Sequence, residues 1–235
     1  MNSAGRGSKH TAVVIPAGGR GTRMGGPLPK QFLRLGGMSI LERTVRAFEA
    51  HPEVREIVIV CSRDHEERVR RMVSRRRLKK VTGIVRGGKV RQESVWNGIR
   101  SLQSNASLVL IQDAVRPFVT RKLISQVIAA TARCGAAVPA VQVKETLLAE
   151  GNRGQLRGVI DRAKSWVAQT PQGFQRDLIE GAFRSAQKKG FVGTDDASLV
   201  LRLHHPVFIV TGSEENIKIT TPRDLEVARL FLKRK

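Results

Sequence analysis

The stretch Thr11-Ala12-Val13-Val14-Ile15-Pro16-Ala17-Gly18-Gly19-Arg20-Gly21-Thr22-Arg23-Met24-Gly25-Gly26, followed by Pro29-Lys30-Gln31, decides the fold. A short apolar, β-branched run that stops at a glycine-rich turn reads as a strand buried on both faces, the kind found inside parallel sheets. Glycines just after such a strand let backbone N–H groups approach phosphate oxygens, and Arg23 and Lys30 add the charge to hold them. The loop is neither of the two commoner phosphate loops. Met24 stands where a dinucleotide fingerprint needs Gly, and Pro27 stands where a Walker loop needs Lys.

Further apolar runs follow at Glu56–Cys61, Val81–Val85, Leu108–Gln112, Ala136–Ala140 and Val207–Thr211. Helical patterns separate them. Ser39-Ile40-Leu41-Glu42 is a capping box opening a helix with Leu41, Val45 and Phe48 on one face. Thr221-Pro222-Arg223-Asp224 opens the last helix, with Thr as cap and Pro in the first turn. Alternation of this kind predicts an α/β fold with a doubly wound, mostly parallel sheet, and directs attention to the loops after its strands. One interval breaks the alternation. Residues 142–166 offer two short extended runs around Gly151-Asn152-Arg153-Gly154 and read as a hairpin arm leaving the sheet. Residues 1–10 read as a flexible tail and 11–235 as one domain.

Two other segments carry chemistry. Asp113, in Gln112-Asp113-Ala114-Val115-Arg116-Pro117, follows the fourth run, where a carboxylate can hold Mg²⁺ beside phosphates or simply cap a helix. Gly87-Gly88-Lys89-Val90-Arg91-Gln92-Glu93-Ser94 joins a strand to a helix, and its backbone and Ser94 could read a base or ribose.

Composition narrows the classes. The chain has 42 Lys+Arg against 20 Asp+Glu, a net charge of +22. Eight basic residues and no acid lie between Arg68 and Lys80. That charge suits polyanionic phosphates as well as nucleic acid, but the run has no interleaved aromatics and the chain has no Tyr for base stacking. No apolar run approaches the roughly 20 residues of a membrane span. Residues 1–10 lack the apolar core of a signal peptide, and Cys61 and Cys134 lack metal-ligand spacing, so a reducing cytoplasm is expected.

In order, the motifs PAGGRGTRM…PKQ, GGKVRQESV, DAVRP, IDR…AQTPQ, GTDDAS and NIKITTP resemble the 2-C-methyl-D-erythritol 4-phosphate cytidylyltransferases of non-mevalonate isoprenoid synthesis. The likeness runs from about Thr11 to the C-terminus and implies a Rossmann-like nucleotidyltransferase. It implies that Ala17, Gly18, Gly19, Arg23 and Lys30 hold the CTP phosphates. Gly88, Lys89 and Ser94 would line the cytosine and ribose site, and Asp113 would ligate Mg²⁺. Ala114, Arg116, Thr146, Arg162, Thr170, Thr194 and Lys218 would contact the polyol phosphate or the transferring phosphate, with Arg23, Lys30 and Lys218 catalytic. In that family the arm crosses a homodimer, so Thr146 and Arg162, with Arg116 a further candidate, would serve the partner's site.

Gly18 replaces a frequent Ala, Lys89 a frequent Asp, and Gln112 a frequent His of the family. None of these removes a group that the chemistry requires. A substrate phosphate with a second pKa of about 6 is itself the nucleophile at neutral pH, so no general base is needed. Two rivals remain at this level. Ribitol 5-phosphate cytidylyltransferase shares the loop, although Ile160-Asp161-Arg162, Trp166 and Thr194-Asp195-Asp196-Ala197-Ser198 favour methylerythritol phosphate. A basic nucleic-acid-binding protein on an inactive transferase fold is opposed by the intact Arg23, Lys30, Asp113 and Lys218.

Overall fold

A computed structural model of the chain describes residues 10–19, 24–26 and 28–233. The expected tail lies outside the described residues except for His10. The strands are β1 (Thr11–Pro16), β2 (Arg34–Leu35), β3 (Met38–Ser39), β4 (Val54–Cys61), β5 (Val81–Arg86) and β6 (Leu108–Ile111). They continue with β7 (Ala136–Gln142), β8 (Leu147–Glu150), β9 (Leu156–Ile160), β10 (Trp166–Ala168), β11 (Gln172–Gln175) and β12 (Phe208–Thr211). The α-helices are α1 (Ile40–Glu49), α2 (Glu66–Arg76), α3 (Arg91–Arg100), α4 (Arg121–Cys134), α5 (Arg176–Lys188), α6 (Asp196–Leu201) and α7 (Pro222–Lys233).

β1 lies at the heart of the sheet, parallel to β4 on one side and β6 on the other. β5 extends the β4 side in parallel. Beyond β6 comes one reversed line of chain, β11 followed along its length by β10, which pairs antiparallel with β6 and β7. β12 then runs parallel to β7 along its other edge. The sheet is therefore mostly parallel, as the alternation predicts, and the carboxyl ends of β1, β5 and β6 open at one end. The reversed line was not read from the sequence. Its two pieces are short and are split at Gln169-Thr170-Pro171, which breaks the periodicity of a strand.

Successive residues of β1 point to opposite faces. Val13 and Ile15 pack with Leu41, Val45 and Phe48 of α1 and with Val69, Ile124 and Val127 of α2 and α4. Ala12 and Val14 pack with Val95 and Ile99 of α3 and with Ile179, Phe183 and Leu199 of α5 and α6. Helices on both faces make the sheet doubly wound. The expected caps form: the Ser39 hydroxyl accepts from Glu42 N at 3.1 Å, and the Thr221 hydroxyl accepts from Asp224 N at 3.3 Å. The Asp224 carboxylate accepts in return from Thr220 N and Thr221 N, each at 2.8 Å. Cys61 and Cys134 are free, and burial, then the charge of Glu66, pushes the Cys61 thiol up to about 11.

Gly98 lets α3 lie directly on β1. A Cβ there would overlap Val14 Cγ1 and sit 2.8 Å from Val60 Cγ2, and both valines are fully buried. Gly98→Ala is expected to lower the unfolding free energy by about 1–3 kcal/mol, the usual cost of overpacking. Urea denaturation would read this as a lower midpoint at unchanged slope. An unchanged midpoint would mean that α3 can shift away at no cost.

The arm is a two-stranded antiparallel sheet of its own, β8 against β9, with register Leu147↔Ile160 and Leu148↔Val159. Arg153 (φ 57°) and Gly154 (φ 75°) turn the chain between them. Gln142 and Trp166, the expected limits of the arm, pair with each other in the main sheet and so form its root.

Candidate active site

The glycine-rich loop leaves β1 at the open end of the sheet, tied by Ala17 N to Val60 O at 2.6 Å. Arg20 to Arg23, and with them the candidate Arg23, lie outside the described residues. Gln31 holds the start of the loop in place. Its buried amide donates to Ala17 O at 2.7 Å and to Gly19 O at 3.0 Å. A Cβ on Gly18 would meet only Ser62 N at 3.8 Å and Cys61 C at 3.9 Å, so the alanine common at this position would fit. Lys30 opens a single 3₁₀ turn, Lys30–Phe32, behind Pro29. That turn anchors on buried Phe32 and thereby fixes where the lysine starts.

Asp113 follows β6, the immediate neighbour of β1, and is 8% exposed. Its Oδ2 lies 3.0 Å from Lys218 Nζ and 3.3 Å from Arg116 Nε. Its Oδ1 faces Arg91 Nη2 at 3.8 Å, beyond hydrogen-bond reach. Burial opposes ionisation of Asp113, but the charges of Lys218, Arg91 and Arg116 together outweigh it and hold the carboxyl below the ordinary aspartate value. The backbone is fixed as well, because Asp113 N donates to Thr170 Oγ1 at 3.1 Å.

Arg116 is buried and acts as a strut. It donates to Asn216 O at 2.7 Å and to Ala168 O at 3.4 Å, joining the β6, β10 and β12 loops. Asn216 Nδ2 donates to Thr170 O at 2.9 Å, and the Gln169 amide exchanges hydrogen bonds with Ser213 at 2.8 and 3.2 Å. Ile219 N donates to Val115 O at 2.9 Å, which sets Lys218 against the Asp113 loop. Ala114 is buried, with its carbonyl accepting from the Thr44 hydroxyl at 3.0 Å.

The Gly87-Gly88 turn enters α3. A Cβ on Gly87 would lie 2.8 Å from Ser94 Oγ, and one on Gly88 would overlap Glu93 Cβ, so the turn admits no side chain without movement. The Ser94 hydroxyl accepts from Gly88 N and donates to Val90 O, both at 3.1 Å. Glu93 accepts from Lys89 N at 2.7 Å. Both N–H groups that could read a base are thus held by internal acceptors. Lys89 itself is exposed.

Arg91, quoted in its motif but given no role from sequence, bridges Asp113 to Asp196 at 2.7 Å. Burial, the largest influence, holds Asp196 above the ordinary aspartate value, while Arg91 acts in the opposite sense. Asp195 caps α6 by accepting from Ser198 N at 2.9 Å. Thr194, just before it, is exposed at the rim.

Thr146 and Arg162 sit elsewhere, exposed on the arm, with Arg162 Nη1 donating to Lys144 O at 3.0 Å. Lys144 in turn pairs with Glu214. Among the described residues, neither Thr146 nor Arg162 has a hydrogen bond or ion pair to the Asp113 cluster.

The chemistry open to this cluster is specific. No group of three or more His, Cys, Asp or Glu residues could cage a metal among the described residues. Asp113 Oδ1 accepts no hydrogen bond there, which fits a hard cation that takes one carboxylate and completes its shell with phosphate oxygens and water.

Known proteins are similar to this chain along nearly all of its length. Residues 11–234 match the family model described as 2-C-methyl-D-erythritol 4-phosphate cytidylyltransferase. The chain is 43% identical over 223 residues to the Syntrophus aciditrophicus protein of that name, covering 94% of this chain and 95% of the relative. It is 44% identical over 232 residues to the Solibacter usitatus protein of that name, covering 94% and 95%. The Thermus thermophilus 2-C-methyl-D-erythritol 4-phosphate cytidylyltransferase structure is similar at a TM-score of 0.78 and 35% identity, covering 95% of this chain and 99% of that one. The Anaerococcus prevotii 4-diphosphocytidyl-2C-methyl-D-erythritol synthase structure is similar at 0.85 and 28% identity, covering 97% and 100%.

Proposed function

The chain belongs to the 2-C-methyl-D-erythritol 4-phosphate cytidylyltransferase family, and from that premise we propose how its residues divide the work. The reaction transfers the cytidylyl group of CTP to 2-C-methyl-D-erythritol 4-phosphate, giving the CDP-alcohol and pyrophosphate. The ribitol 5-phosphate alternative is not favoured by these relatives. The observation that carries the division of labour is the convergence of Lys218, Arg116 and Arg91 on buried Asp113, beside the loop from β1.

In this reading the triphosphate lies along Ala17, Gly18 and Gly19, with Arg23 and Lys30 neutralising its oxygens. Gly88, Lys89 and Ser94 form the cytosine and ribose end, where the base displaces the internal acceptors of the turn. Asp113 holds Mg²⁺, which when bound supplies charge neutralisation on the phosphates. Lys218 then turns from Asp113 to the α-phosphate, and Arg91 keeps Asp113 ionised and aimed. Thr170 and Ala114 position the polyol phosphate against Asp113, with Thr194 at the rim. One phosphate oxygen of the substrate attacks the α-phosphorus as the bond to pyrophosphate breaks. Catalysis is positioning plus charge stabilisation, with no general base.

Thr146 and Arg162 complete the site of a second copy in a homodimer. The support is the arm's surface: Leu148, Leu156 and Val159 are 62%, 61% and 67% exposed, an apolar face that a monomer would leave wet. The exposed Phe208 and Ile209 of the edge strand β12 add a further apolar area. The compartment is read as the reducing cytoplasm, in keeping with the two free cysteines; no helix among the described residues is long and apolar enough to cross a membrane. Pyrophosphate release from CTP, followed with and without Mg²⁺, tests the metal assignment. Release is expected to stop on chelation and return with added Mg²⁺, and release that ignores chelation would remove Asp113 from metal binding. Sedimentation of Val159→Asp checks the arm: a shift from dimer to monomer is expected, and an unchanged dimer would place the interface elsewhere.

A further inference from the structure

A charged recess of the described residues lies away from Asp113, with no residue of that cluster in its lining. A cavity of about 610 Å³ opens between α2 and the β2–β3 hairpin, a volume within the range of small-molecule sites. Arg68, Arg71 and Arg75 line it from one side of α2, at the i, i+3 and i+7 spacing that puts them on one face, and Arg34 lines it from β2. Leu28, Phe32 and Met72 give it an apolar wall, and Gly37, Ser39 and Glu42 complete the lining. Arg68 lies over the Phe32 ring at 5.5 Å.

Most of the basic charge here is not neutralised among the described residues. Glu42, the single acid of the lining, is engaged by Arg76 at 2.8 Å and Arg46 at 3.7 Å. Arg71 reaches Glu67 at 3.7 Å on the outer surface. Arg34, Arg68 and Arg75 have no ion pair among the described residues. A basic helix face meant only for solvent would be convex and would leave its lysines and arginines splayed. Here four guanidinium groups border one concavity that has an apolar wall.

We propose that this cavity is a second anion site, taking a small phosphate-bearing ligand with an apolar body. The phosphate meets the forks of Arg68, Arg75 and Arg34, and the apolar part lies on Phe32, Met72 and Leu28. Phe32 belongs to the 3₁₀ turn that Lys30 opens, so an occupant rests on the turn that carries the nucleotide lysine. Nucleic acid is the less fitting partner. A phosphodiester chain needs a continuous track, whereas these arginines surround a pocket.

The test is isothermal titration of the full-length protein with n-octyl phosphate below its micelle concentration. Inorganic phosphate, n-octyl glucoside and a 20-nucleotide single-stranded RNA serve as comparison ligands. Saturable binding of octyl phosphate, tighter than that of either inorganic phosphate or octyl glucoside, is expected. The double variant Arg68→Gln with Arg75→Gln, which keeps both side-chain stems, should weaken it on the order of tenfold or more. Lys218→Ala, a change at the catalytic cluster, should leave it unchanged, so the result does not depend on the roles assigned there. No saturable binding, binding lost in Lys218→Ala but kept in the double variant, or an RNA affinity lost in the double variant without octyl phosphate binding would each overturn the proposal.

Discussion

Asp113→Asn is expected to lower kcat/KM by at least about 10²–10³-fold, the scale seen when one preorganised electrostatic group is removed from an active site. The side chain keeps its shape, so the loss is one of charge. Asn cannot supply the anionic oxygen that a hard cation prefers, and it no longer draws Lys218, Arg116 and Arg91 together. The same change weakens the fold. Arg116 is buried, and removing one partner of a buried ion pair typically costs about 3–5 kcal/mol. Pyrophosphate release and urea unfolding measured on the same preparation separate the two losses. Near-normal turnover would deny Asp113 its role.

The pH dependence follows from the same cluster. The Asp113 pKa is held below its ordinary value in the folded state, so its stabilising contribution is in full force above that ordinary value. It is lost as pH falls through the lower, folded-state value. Acid unfolding of wild type should therefore include a component that Asp113→Asn lacks. Parallel stability curves for the two proteins in the acid range would contradict this.

Lys30→Ala and Arg162→Ala, each nearly inactive alone, are expected to recover about one quarter of wild-type activity when mixed and re-associated as two-fold dimers. The arithmetic is geometric. If a site takes Lys30 from one copy and Arg162 from the other, a mixed dimer has one site with both lesions and one intact. Half of the dimers are mixed, and each has half of its sites working. The reason to expect sharing is the separation within one chain: Arg162 bonds to Lys144 O on the exposed arm, whereas Lys30 belongs to the turn that Gln31 anchors beneath the β1 loop. No recovery in dimers verified as mixed would place both residues in the site of a single chain.

Much of the fold was legible because buried parallel strands advertise themselves. Runs such as Val13-Val14-Ile15 and Leu108-Val109-Leu110 are apolar on both faces and end where loops begin. The reversed line of β10 and β11 was not legible. Trp166, Val167 and Ala168 are exposed, and their pairing with β7 arises from a neighbour distant in sequence. The two-residue strands β2 and β3 are too short to show a period.

The site divides the same way. Asp113 was readable from its place after a strand, and Lys218 from the family motif in which it stands. The role of Arg91 depends on Asp196, 105 residues away, and that of Asn216 on Gln169 and Thr170 across a loop junction. No local pattern announces such pairs. Ser94 carries a further role that its type alone does not announce: its hydroxyl braces the Gly88 turn.

Cytidylyl transfer at the Asp113 cluster should discriminate between polyol phosphates. Its most direct measurement is pyrophosphate release from CTP and Mg²⁺ with 2-C-methyl-D-erythritol 4-phosphate and D-ribitol 5-phosphate in parallel, on wild type and Asp113→Asn. Release should saturate with methylerythritol phosphate, be far slower with ribitol phosphate, and collapse in the variant. Equal or faster turnover of ribitol phosphate, or a variant as active as wild type, would contradict it.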